Sequence, residues 1–572
     1  MRHRMLVAAI CASAISAGPL TAEDIVHDAE YYILEAQNGN VWQVEDEELD
    51  AKLAELREEY GQPPNIIHFM WDDQPFGSVG IPAMQNIRGY TTPNLNQMAA
   101  EGMLFTRMYT EPSCTPTRAA AWTGQHPVRN GMYTVGFPVE NHGIAKDVVT
   151  IGEVMSKAGY ATGFFGKAHL GDIEEAWPHN QGFDEAFTAI YNQVVSLWHP
   201  QGEISNAVVG LHKEVLAENP YELDDSFARN GYVFYVEGTK DGDTLEWCGT
   251  SLDCYLEFDK EAAKRALGFI SKSTEQGKPF FIQWWPLFTP FVPAPKKTSL
   301  QRGLVGDAYM VNLDPTTGML MKTLKDLGIA ENTLVIAMSD NGPMTHNPPP
   351  GAGLGEGPFR GGKGDFLEGG VRVAAQAWWP GMIAPGQIAG DIIHVTDLYV
   401  TFARLGGAME HIPRDRVIDG IDQTALLLNG DTHGRRDYVH IYAGPQLGAT
   451  VKNHYKMHWI SEDPSQALSG ITAAYDLLND HREVSPLVTN ALHMKEPFRR
   501  MRARHELWIR KYPNMEAASG PAYADIANAR PETKELMKPP ASLDALPFDP
   551  REVLEEMENL PYDPSGEPDY RE

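Results

Sequence analysis

The sequence predicts an α/β fold with a large, mainly parallel central sheet flanked by helices, plus a smaller C-terminal domain with a short antiparallel sheet. Short apolar runs typical of buried parallel strands occupy residues 65–71, 162–165, 279–285 and 333–338. Segments with helical periodicity, at 150–158 and 258–271, lie between these runs, and strands that alternate with helices indicate a parallel sheet. After Asp437 the segments become shorter and alternate, as in 449–460, which predicts the antiparallel sheet.

The length of 572 residues exceeds the size at which one hydrophobic core usually stops growing, so a large domain and a smaller one are expected. Leucines and a tyrosine recur at helical spacing in 49–60, which predicts a surface helix in an N-terminal extension. The expected segments are a signal peptide (1–22), the helical extension (23–62), the main α/β domain (63–436), a C-terminal subdomain (437–529) and an acidic, proline-rich tail (530–572).

The first 22 residues have the layout of a secretory signal peptide. Arg2 and Arg4 precede an apolar run at 5–15 and then small residues up to Ala22. This predicts a periplasmic or secreted protein. A cytosolic protein with a buried N-terminal helix stays open, because the cleavage point after Ala22 is not ideal. No later run of about 20 apolar residues follows, which argues against an integral membrane protein.

The net charge and the cysteine content indicate which partners and which cellular compartment to expect. The net charge of −30, with no basic stripe, argues against nucleic acid as a partner. Of the four cysteines, Cys11 would leave with the signal peptide and Cys114 lies in a motif described below. Cys248 and Cys254 form a close pair that an oxidising compartment could join in a disulfide; two free cysteines remain the alternative.

Two pairs of polar residues follow predicted strands. Asp72 and Asp73 end the first apolar run, and Asp340 and Asn341 end the run at 333–338. Because ligands bind beyond the carboxyl ends of parallel strands, the two pairs are expected to meet at one edge of the sheet. Their oxygen atoms suit Ca²⁺, or less well Mg²⁺, whereas Zn²⁺ would favour histidine or thiolate ligands. Either pair alone is also typical of a turn or a helix cap.

A cysteine followed at fixed offsets by proline and arginine, Cys114-Thr115-Pro116-Thr117-Arg118, carries the strongest signal. Here the sequence resembles the sulfatase family, the arylsulfatase-like branch of the alkaline phosphatase superfamily, whose C-x-P-x-R core it matches in full. The resemblance implies that a maturation enzyme oxidises Cys114 to formylglycine and that a helix begins at this point.

Further segments resemble the same family in the same order. Residues 166–171 match a G-K-x-H-x-G segment, 360–372 match R-G-G-K-G…E-G-G-x-R, and 65–80, 339–342 and 475–477 resemble the opening strand, the second metal element and a C-terminal marker. The resemblance covers roughly 64–486, so that 63–436 reads as the catalytic domain. An insert at 186–250 lies outside the resemblance and is expected to shape the substrate pocket.

The resemblance implies hydrolysis of aryl or carbohydrate sulfate monoesters, and it assigns roles to matching residues. Asp72, Asp73, Asp340, Asn341 and the formylglycine at Cys114 would hold Ca²⁺. Arg118 would orient the hydrated aldehyde, whose hydroxyl attacks sulfur, and Lys167 and Lys363 would bind the sulfate oxygens. His169 would remove the proton of the second hydroxyl, which releases sulfate and restores the aldehyde.

One position departs from the family pattern. Many members have a histidine where this sequence has Phe288. Protonation of the leaving group would then fall to Lys363 or to another histidine such as His199, unless the substrate is an activated ester. The alternative interpretation of His199 is an ordinary polar loop residue without a catalytic role.

Two other functions remain open from the sequence. One is a phosphate or phosphonate monoester hydrolase of the same superfamily. The other is an inactive protein that binds sulfated glycans, in which Cys114 stays a thiol and aromatic residues of the insert, such as Tyr191 and Trp198, stack on sugars. The sequence determines neither the alcohol part of the substrate nor the oligomeric state.

Overall fold

The computed structural model of the protein describes residues 24–136, 140–191, 235–248, 252–287, 312–344, 357–460, 473–487 and 491–520. The predicted signal peptide, the predicted tail, the central part of the insert, Phe288 and His199 lie outside these residues.

The described residues form eleven α-helices. They are α1 (Ala29–Tyr60), α2 (Pro82–Arg88), α3 (Pro93–Glu101), α4 (Cys114–Thr123), α5 (Ile151–Lys157), α6 (Leu252–Glu275), α7 (Asp314–Asp326), α8 (Glu368–Val371), α9 (Asp397–Gly406), α10 (Thr424–Asn429) and α11 (Ala491–Lys511).

The strands in the same part of the chain are mostly short. They are β1 (Val26–His27), β2 (Asn65–Trp71), β3 (Met103–Tyr109), β4 (His142–Gly143), β5 (Ala161–Lys167), β6 (Glu185–Ala189), β7 (Tyr235–Thr239), β8 (Leu245–Glu246), β9 (Phe280–Trp285), β10 (Thr333–Ser339), β11 (Arg372–Trp378), β12 (Gln387–Ala389), β13 (Ile393–His394), β14 (Val417–Ile418), β15 (Tyr438–Ala443), β16 (Gln446–Lys452), β17 (Tyr455–His458), β18 (Ala474–Asp476) and β19 (Ala518–Ser519).

The central sheet confirms the predicted fold class. Its 11 strands follow the order β12-β3-β11-β10-β2-β9-β5-β6-β7-β8, with β13 also paired to β3. The core β10-β2-β9-β5-β6 is parallel throughout, and β11 and β7 are the two strands that run against the others. All four apolar runs predicted as strands lie in this parallel core.

Burial on both faces explains why these strands are apolar without alternation. Along β2, Ile66 and Met70 pack with α4, α5 and α9, while Ile67 and Phe69 pack on the opposite face with α3, α6 and α7. Each residue of β2 is buried. The sheet is therefore covered by helices on both sides, as expected for a parallel sheet.

The small antiparallel sheet is also observed. Its four strands follow the order β15-β16-β17-β18, and its apolar face packs against Phe366, Leu367 and Val371. Lys456 of β17 is fully buried, with Nζ 3.1 Å from Glu368 Oε1 and 3.0 Å from Glu483 Oε1. This buried charge cluster attaches the sheet to the segment around α8.

Three further features bear on the sequence predictions. The N-terminal helix α1 begins at Ala29, well before the periodic segment, and ends at Tyr60, followed by Gly61, whose φ of 69° is left-handed. Cys248 and Cys254 are joined in a disulfide. Among the described helices, none is both long enough and apolar enough to cross a membrane.

Candidate active site

The two polar pairs that follow β2 and β10 lie side by side. Trp71 is opposite Ser339 in the parallel register, so both strands end at the same level. The backbone N–H of Asp73 donates to Asp340 Oδ1 at 3.0 Å, and Asn341 Nδ2 donates to Asp73 Oδ1 at 2.6 Å. All of these polar side chains are buried.

Two oxygen atoms of this cluster suit a bound cation. Asp73 Oδ2 and Asn341 Oδ1 are buried and have no hydrogen-bond partner among the described residues. An unpaired buried acceptor costs about 1–3 kcal/mol, so such atoms usually have a ligand. Asp73 also has a left-handed backbone, with φ of 54°, a conformation that is uncommon outside glycine. Carboxylate and amide oxygens fit a hard cation such as Ca²⁺ or Mg²⁺.

Cys114 is the first residue of α4, as the resemblance implies, and it is a buried free cysteine. The loop that contains Lys363 packs against the segment before Cys114, because the N–H of Gly364 donates to the carbonyl of Pro112 at 2.7 Å. The N–H of Lys363 donates to the carbonyl of Pro343 at 2.8 Å. The loop therefore bridges the segment before Cys114 and the segment that follows β10.

Arg118 lies one helical turn after Cys114 and reaches the carboxylate cluster. Its Nη2 and Nε donate to Asp340 Oδ2 at 2.9 and 3.2 Å, and Nη2 also donates to Asp72 Oδ1. Nη1 donates to the carbonyl of Lys167 at 2.7 Å. The guanidinium is fully buried, with its carbon 5.2 Å from the ring centre of Trp285. The planar guanidinium can donate hydrogen bonds to several acceptors at once in a fixed geometry, which a lysine ammonium cannot.

Two lysines complete the cluster. Lys167, at the end of β5, has Nζ 2.7 Å from Asp72 Oδ2, and both side chains are fully buried. Lys363 has Nζ 2.7 Å from Asp73 Oδ1 and is 15% exposed. With its three carboxylates ionised, the cluster has equal numbers of negative and positive side chains.

Glycines allow the segments to approach closely. Gly166 has φ of 127°, and a Cβ at this position would lie 1.8 Å from the carbonyl oxygen of Trp285. A Cβ at Gly342 would lie 1.8 Å from the carbonyl oxygen of Gly369. Any other residue would push β5 from β9, or the Asp340 segment from α8.

His169 is held by a backbone group that the sequence did not suggest. Its Nε2 is 2.8 Å from the carbonyl oxygen of Gly136, its ring packs edge-on to Tyr191, and its φ of 57° is left-handed. Because a carbonyl only accepts, Nε2 carries the proton, and Nδ1 is left buried without a partner among the described residues. Burial and the charge of Lys167 lower the pKa of His169 well below 6.5, so the ring is neutral at pH 7.

The two central aspartates have opposite pKa shifts. Burial would raise the pKa of Asp72, but the charges of Lys167 and Arg118 outweigh it and hold that pKa below its ordinary value. Burial and the negative charge of Asp72 raise the pKa of Asp340 to about 8. Of the two carboxyl groups, Asp340 is therefore the one that is more readily protonated.

The structure thus brings together the nine residues singled out from the sequence, which come from five segments of the chain. They are Asp72, Asp73, Cys114, Arg118, Lys167, His169, Asp340, Asn341 and Lys363. Sequence reasoning missed two contacts of this cluster, the carbonyl of Gly136 beside His169 and the indole of Trp285 beside Arg118. A backbone carbonyl leaves no signal in a sequence, and Trp285 was readable only as the end of a buried strand.

Comparisons with known proteins identify the family of this chain. The family model described as Sulfatase matches residues 64–408. The N-acetylgalactosamine-6-sulfatase of Canis lupus familiaris is 32% identical over 438 residues, which cover 72% of this chain and 77% of that protein. Arylsulfatase A of Homo sapiens is 33% identical over 456 residues, covering 74% of this chain and 83% of that protein.

A solved structure is similar in both fold and sequence. The crystal structure of the PsFucS1 sulfatase from Pseudoalteromonas sp. has a TM-score of 0.72 and 30% identity, and covers 83% of this chain and 96% of that one. The family match spans more than half of the chain, and the relatives exceed 30% identity over most of it. The chain therefore belongs to the sulfatase family and is a sulfuric ester hydrolase.

Proposed function

We propose that this enzyme hydrolyses aryl or carbohydrate sulfate monoesters to an alcohol and inorganic sulfate, using Ca²⁺ and a formylglycine at position 114. One observation carries the proposal. Cys114 opens α4 beside a buried cluster in which two oxygen atoms, Asp73 Oδ2 and Asn341 Oδ1, have no partner among the described residues. A nucleophile position and a cation position therefore share one site.

Asp72, Asp73, Asp340 and Asn341 would hold the cation. Bound Ca²⁺ supplies a Lewis acid that polarises the sulfate group. Three ionised carboxylates balance Arg118, Lys167 and Lys363, so a divalent cation leaves the site with a net charge of about +2. That charge favours an anionic ester. Ca²⁺ suits the site better than Mg²⁺ because Mg²⁺ demands near-octahedral geometry and keeps several waters.

Formylglycine at position 114, made by a maturation enzyme, supplies a hydroxyl nucleophile once its aldehyde is hydrated. Arg118, one helical turn away, is fixed by Asp340 and by the carbonyl of Lys167, and would orient this group. A hydroxyl at the start of α4 also faces the positive end of the helix, which favours developing negative charge.

The two lysines would exchange a carboxylate contact for a sulfate contact. Lys167 is fully buried and would contact a sulfate oxygen from the interior of the protein. Lys363 is the more exposed one and would reach the oxygen of the leaving alcohol. Burial alone would lower the pKa of Lys363, but the charge of Asp73 raises it above its ordinary value. The side chain is therefore an ammonium at pH 7, which can donate a hydrogen bond from Nζ to the leaving oxygen.

His169 would act as the base that completes the cycle. Its Nε2–H is held by the carbonyl of Gly136, and the bare Nδ1 can accept a proton. The lowered pKa keeps the ring neutral at pH 7, which is the state that a base requires.

The substrate class rests on the relatives. One is named an N-acetylgalactosamine-6-sulfatase and another arylsulfatase A, so both sugar and aryl sulfates are candidates. Paired aryl esters with the same leaving group, one a sulfate and one a phosphate, test the reaction class. The proposal expects a higher kcat/KM on the sulfate and loss of activity after treatment with a calcium chelator. A higher kcat/KM on the phosphate would favour the phosphate monoester hydrolase instead.

We also propose that the protein is exported to the periplasm or secreted. The signal-like pattern of residues 1–22 supports this, and the disulfide between Cys248 and Cys254 suits an oxidising compartment. N-terminal sequencing of the mature protein tests it, with a start near residue 23 expected. A mature chain that still begins at Met1 in a cytosolic fraction would contradict it.

A further inference from the structure

A second group of ligand-type side chains is buried next to α4, outside the cluster described above. Glu111 precedes Cys114 by three residues, His126 follows α4, and His394 is the last residue of β13. The three side chains are 1–3% exposed. The two ends of α4 and the distant strand β13 thus place one carboxylate and two imidazoles together in the interior.

The donor atoms are spaced like the ligands of one ion. His126 Nδ1 lies 2.7 Å and His394 Nε2 lies 3.8 Å from Glu111 Oε1. One donor atom from each residue lies within 4.8 Å of the others. Around a tetrahedral Zn²⁺ with bonds of about 2.0–2.1 Å, donor atoms are roughly 3.3 Å apart. The two distances from Glu111 Oε1 each differ from this value by about half an ångström.

His394 provides the observation that points to a ligand. Its Nδ1 is 2.8 Å from Thr396 Oγ1, which fixes the ring. Its Nε2 is buried and has no hydrogen-bond partner among the described residues. Metal-binding histidines are usually held in this way, with one ring nitrogen on a polar group and the other directed at the ion.

We propose that Glu111, His126 and His394 bind a second divalent cation, Zn²⁺, at a buried site separate from the calcium site. Two imidazoles and one carboxylate are ligands that Zn²⁺ accepts, whereas Ca²⁺ takes six to eight oxygen ligands. A water would complete the tetrahedron, as it does in other sites with three protein ligands. The all-oxygen cluster around Asp73 and this site thus differ in the ion that they prefer.

The position of the site indicates what the ion would do. The carbonyl oxygen of Glu111 accepts a hydrogen bond from Thr117 Oγ1 of α4 at 3.0 Å. His126 is bound through its backbone N–H to Asp419 Oδ2 at 2.7 Å. A bound Zn²⁺ would join the residues before and after α4 to β13. It would therefore position the helix that carries Cys114 and Arg118 without touching the substrate.

Metal analysis tests this directly. The full-length protein is incubated with Zn²⁺ and Ca²⁺, desalted, and analysed by mass spectrometry of its metals. Retention of about one zinc per chain is expected for the wild type, and at least a tenfold loss for His394→Ala and Glu111→Gln. Asp340→Asn should lose calcium and keep zinc.

His440→Ala is the matched control. His440 is also 1% exposed and also has a buried Nε2 without a partner among the described residues, but it lies on β15, near Asp28. The neighbouring His505 already uses both ring nitrogens, for Asp28 and for Tyr442. His440→Ala should therefore keep its zinc.

A wild-type protein that retains no zinc, or His394→Ala and Glu111→Gln variants that retain as much as the wild type, would overturn the proposal. If these variants do not fold, the wild type decides through Co²⁺. Visible absorption bands of a tetrahedral Co²⁺ site, displaced by Zn²⁺ and not by Ca²⁺, are expected. Their absence would overturn the proposal as well.

Discussion

Lys167 Nζ lies 2.7 Å from Asp72 Oδ2, and neither side chain has any exposed surface. The same aspartate accepts a hydrogen bond from Arg118, which in turn reaches Asp340. The end of β5, the helix that begins at Cys114 and the ends of β2 and β10 are thus joined by buried charges. Because these charges are shielded from water, removing one of them should affect both stability and cation binding.

Replacement of Lys167 by methionine should destabilise the cation-free protein. It leaves a buried carboxylate without its ammonium, which typically costs about 3–5 kcal/mol. Saturating Ca²⁺ should recover most of the loss, because a cation bound to Asp72 replaces the missing charge. Chemical unfolding with and without Ca²⁺ measures both effects.

Lys456→Met is the matched control for this experiment. Lys456 is equally buried but pairs with Glu368 and Glu483, neither of which is among the proposed calcium ligands. A similar loss of stability is expected, with no recovery in Ca²⁺. Equal recovery in both variants, or in neither, would contradict the placement of the cation at Asp72.

Calcium binding should release a proton near pH 7. Burial and the charge of Asp72 raise the pKa of Asp340 to about 8, so its carboxyl holds a proton that the cation must displace. The affinity for Ca²⁺ should therefore increase as the pH rises from about 6 to about 8. Calorimetry in two buffers with different ionisation enthalpies measures the proton. A binding heat independent of the buffer would contradict the prediction.

Replacement of His169 by alanine should lower kcat by about 10²–10⁴-fold, the usual contribution of a positioned base. The fold should persist, since the ring makes a single hydrogen bond to Gly136 among the described residues. His179 is the control, because it is also buried, and burial lowers its pKa to about 4. His179→Ala should keep kcat close to that of the wild type. Equal losses in the two variants would rule out a special role for His169.

Loss of the disulfide should reduce stability but not chemistry. Cys248 and Cys254 are six positions apart, and a disulfide that closes a loop this short stabilises the folded state by about 2 kcal/mol. A double replacement by serine should therefore lower the free energy of unfolding by about that amount. Turnover of the folded enzyme should be unchanged. A loss of kcat at unchanged stability would show instead that this loop contacts the substrate.

Local patterns predicted the centre of the fold well. The runs at 65–71 and 333–338 are neighbouring parallel strands, so the aspartates that follow them had to meet at one edge. The helix at 258–271 is longer than predicted, Leu252–Glu275. Helix α1, Ala29–Tyr60, lies within the predicted helical extension 23–62. Its apolar periodicity was visible only in 49–60, because most of residues 35–48 are exposed.

Interactions between distant segments were not predictable. The strands β3 and β11 pair antiparallel, and nothing local distinguishes them from the parallel strands. The buried Lys456 looks like any surface lysine until Glu368 and Glu483 are placed beside it. In both cases the deciding partner is far away in the chain.

The most direct test of the proposed mechanism is the mass of the peptide that contains Cys114, measured on protein purified from its native host. The account predicts that the sulfur is lost and replaced by an aldehyde oxygen or its hydrate, in the fraction of molecules that is active. An unmodified thiol in folded, fully active protein would contradict the formylglycine mechanism.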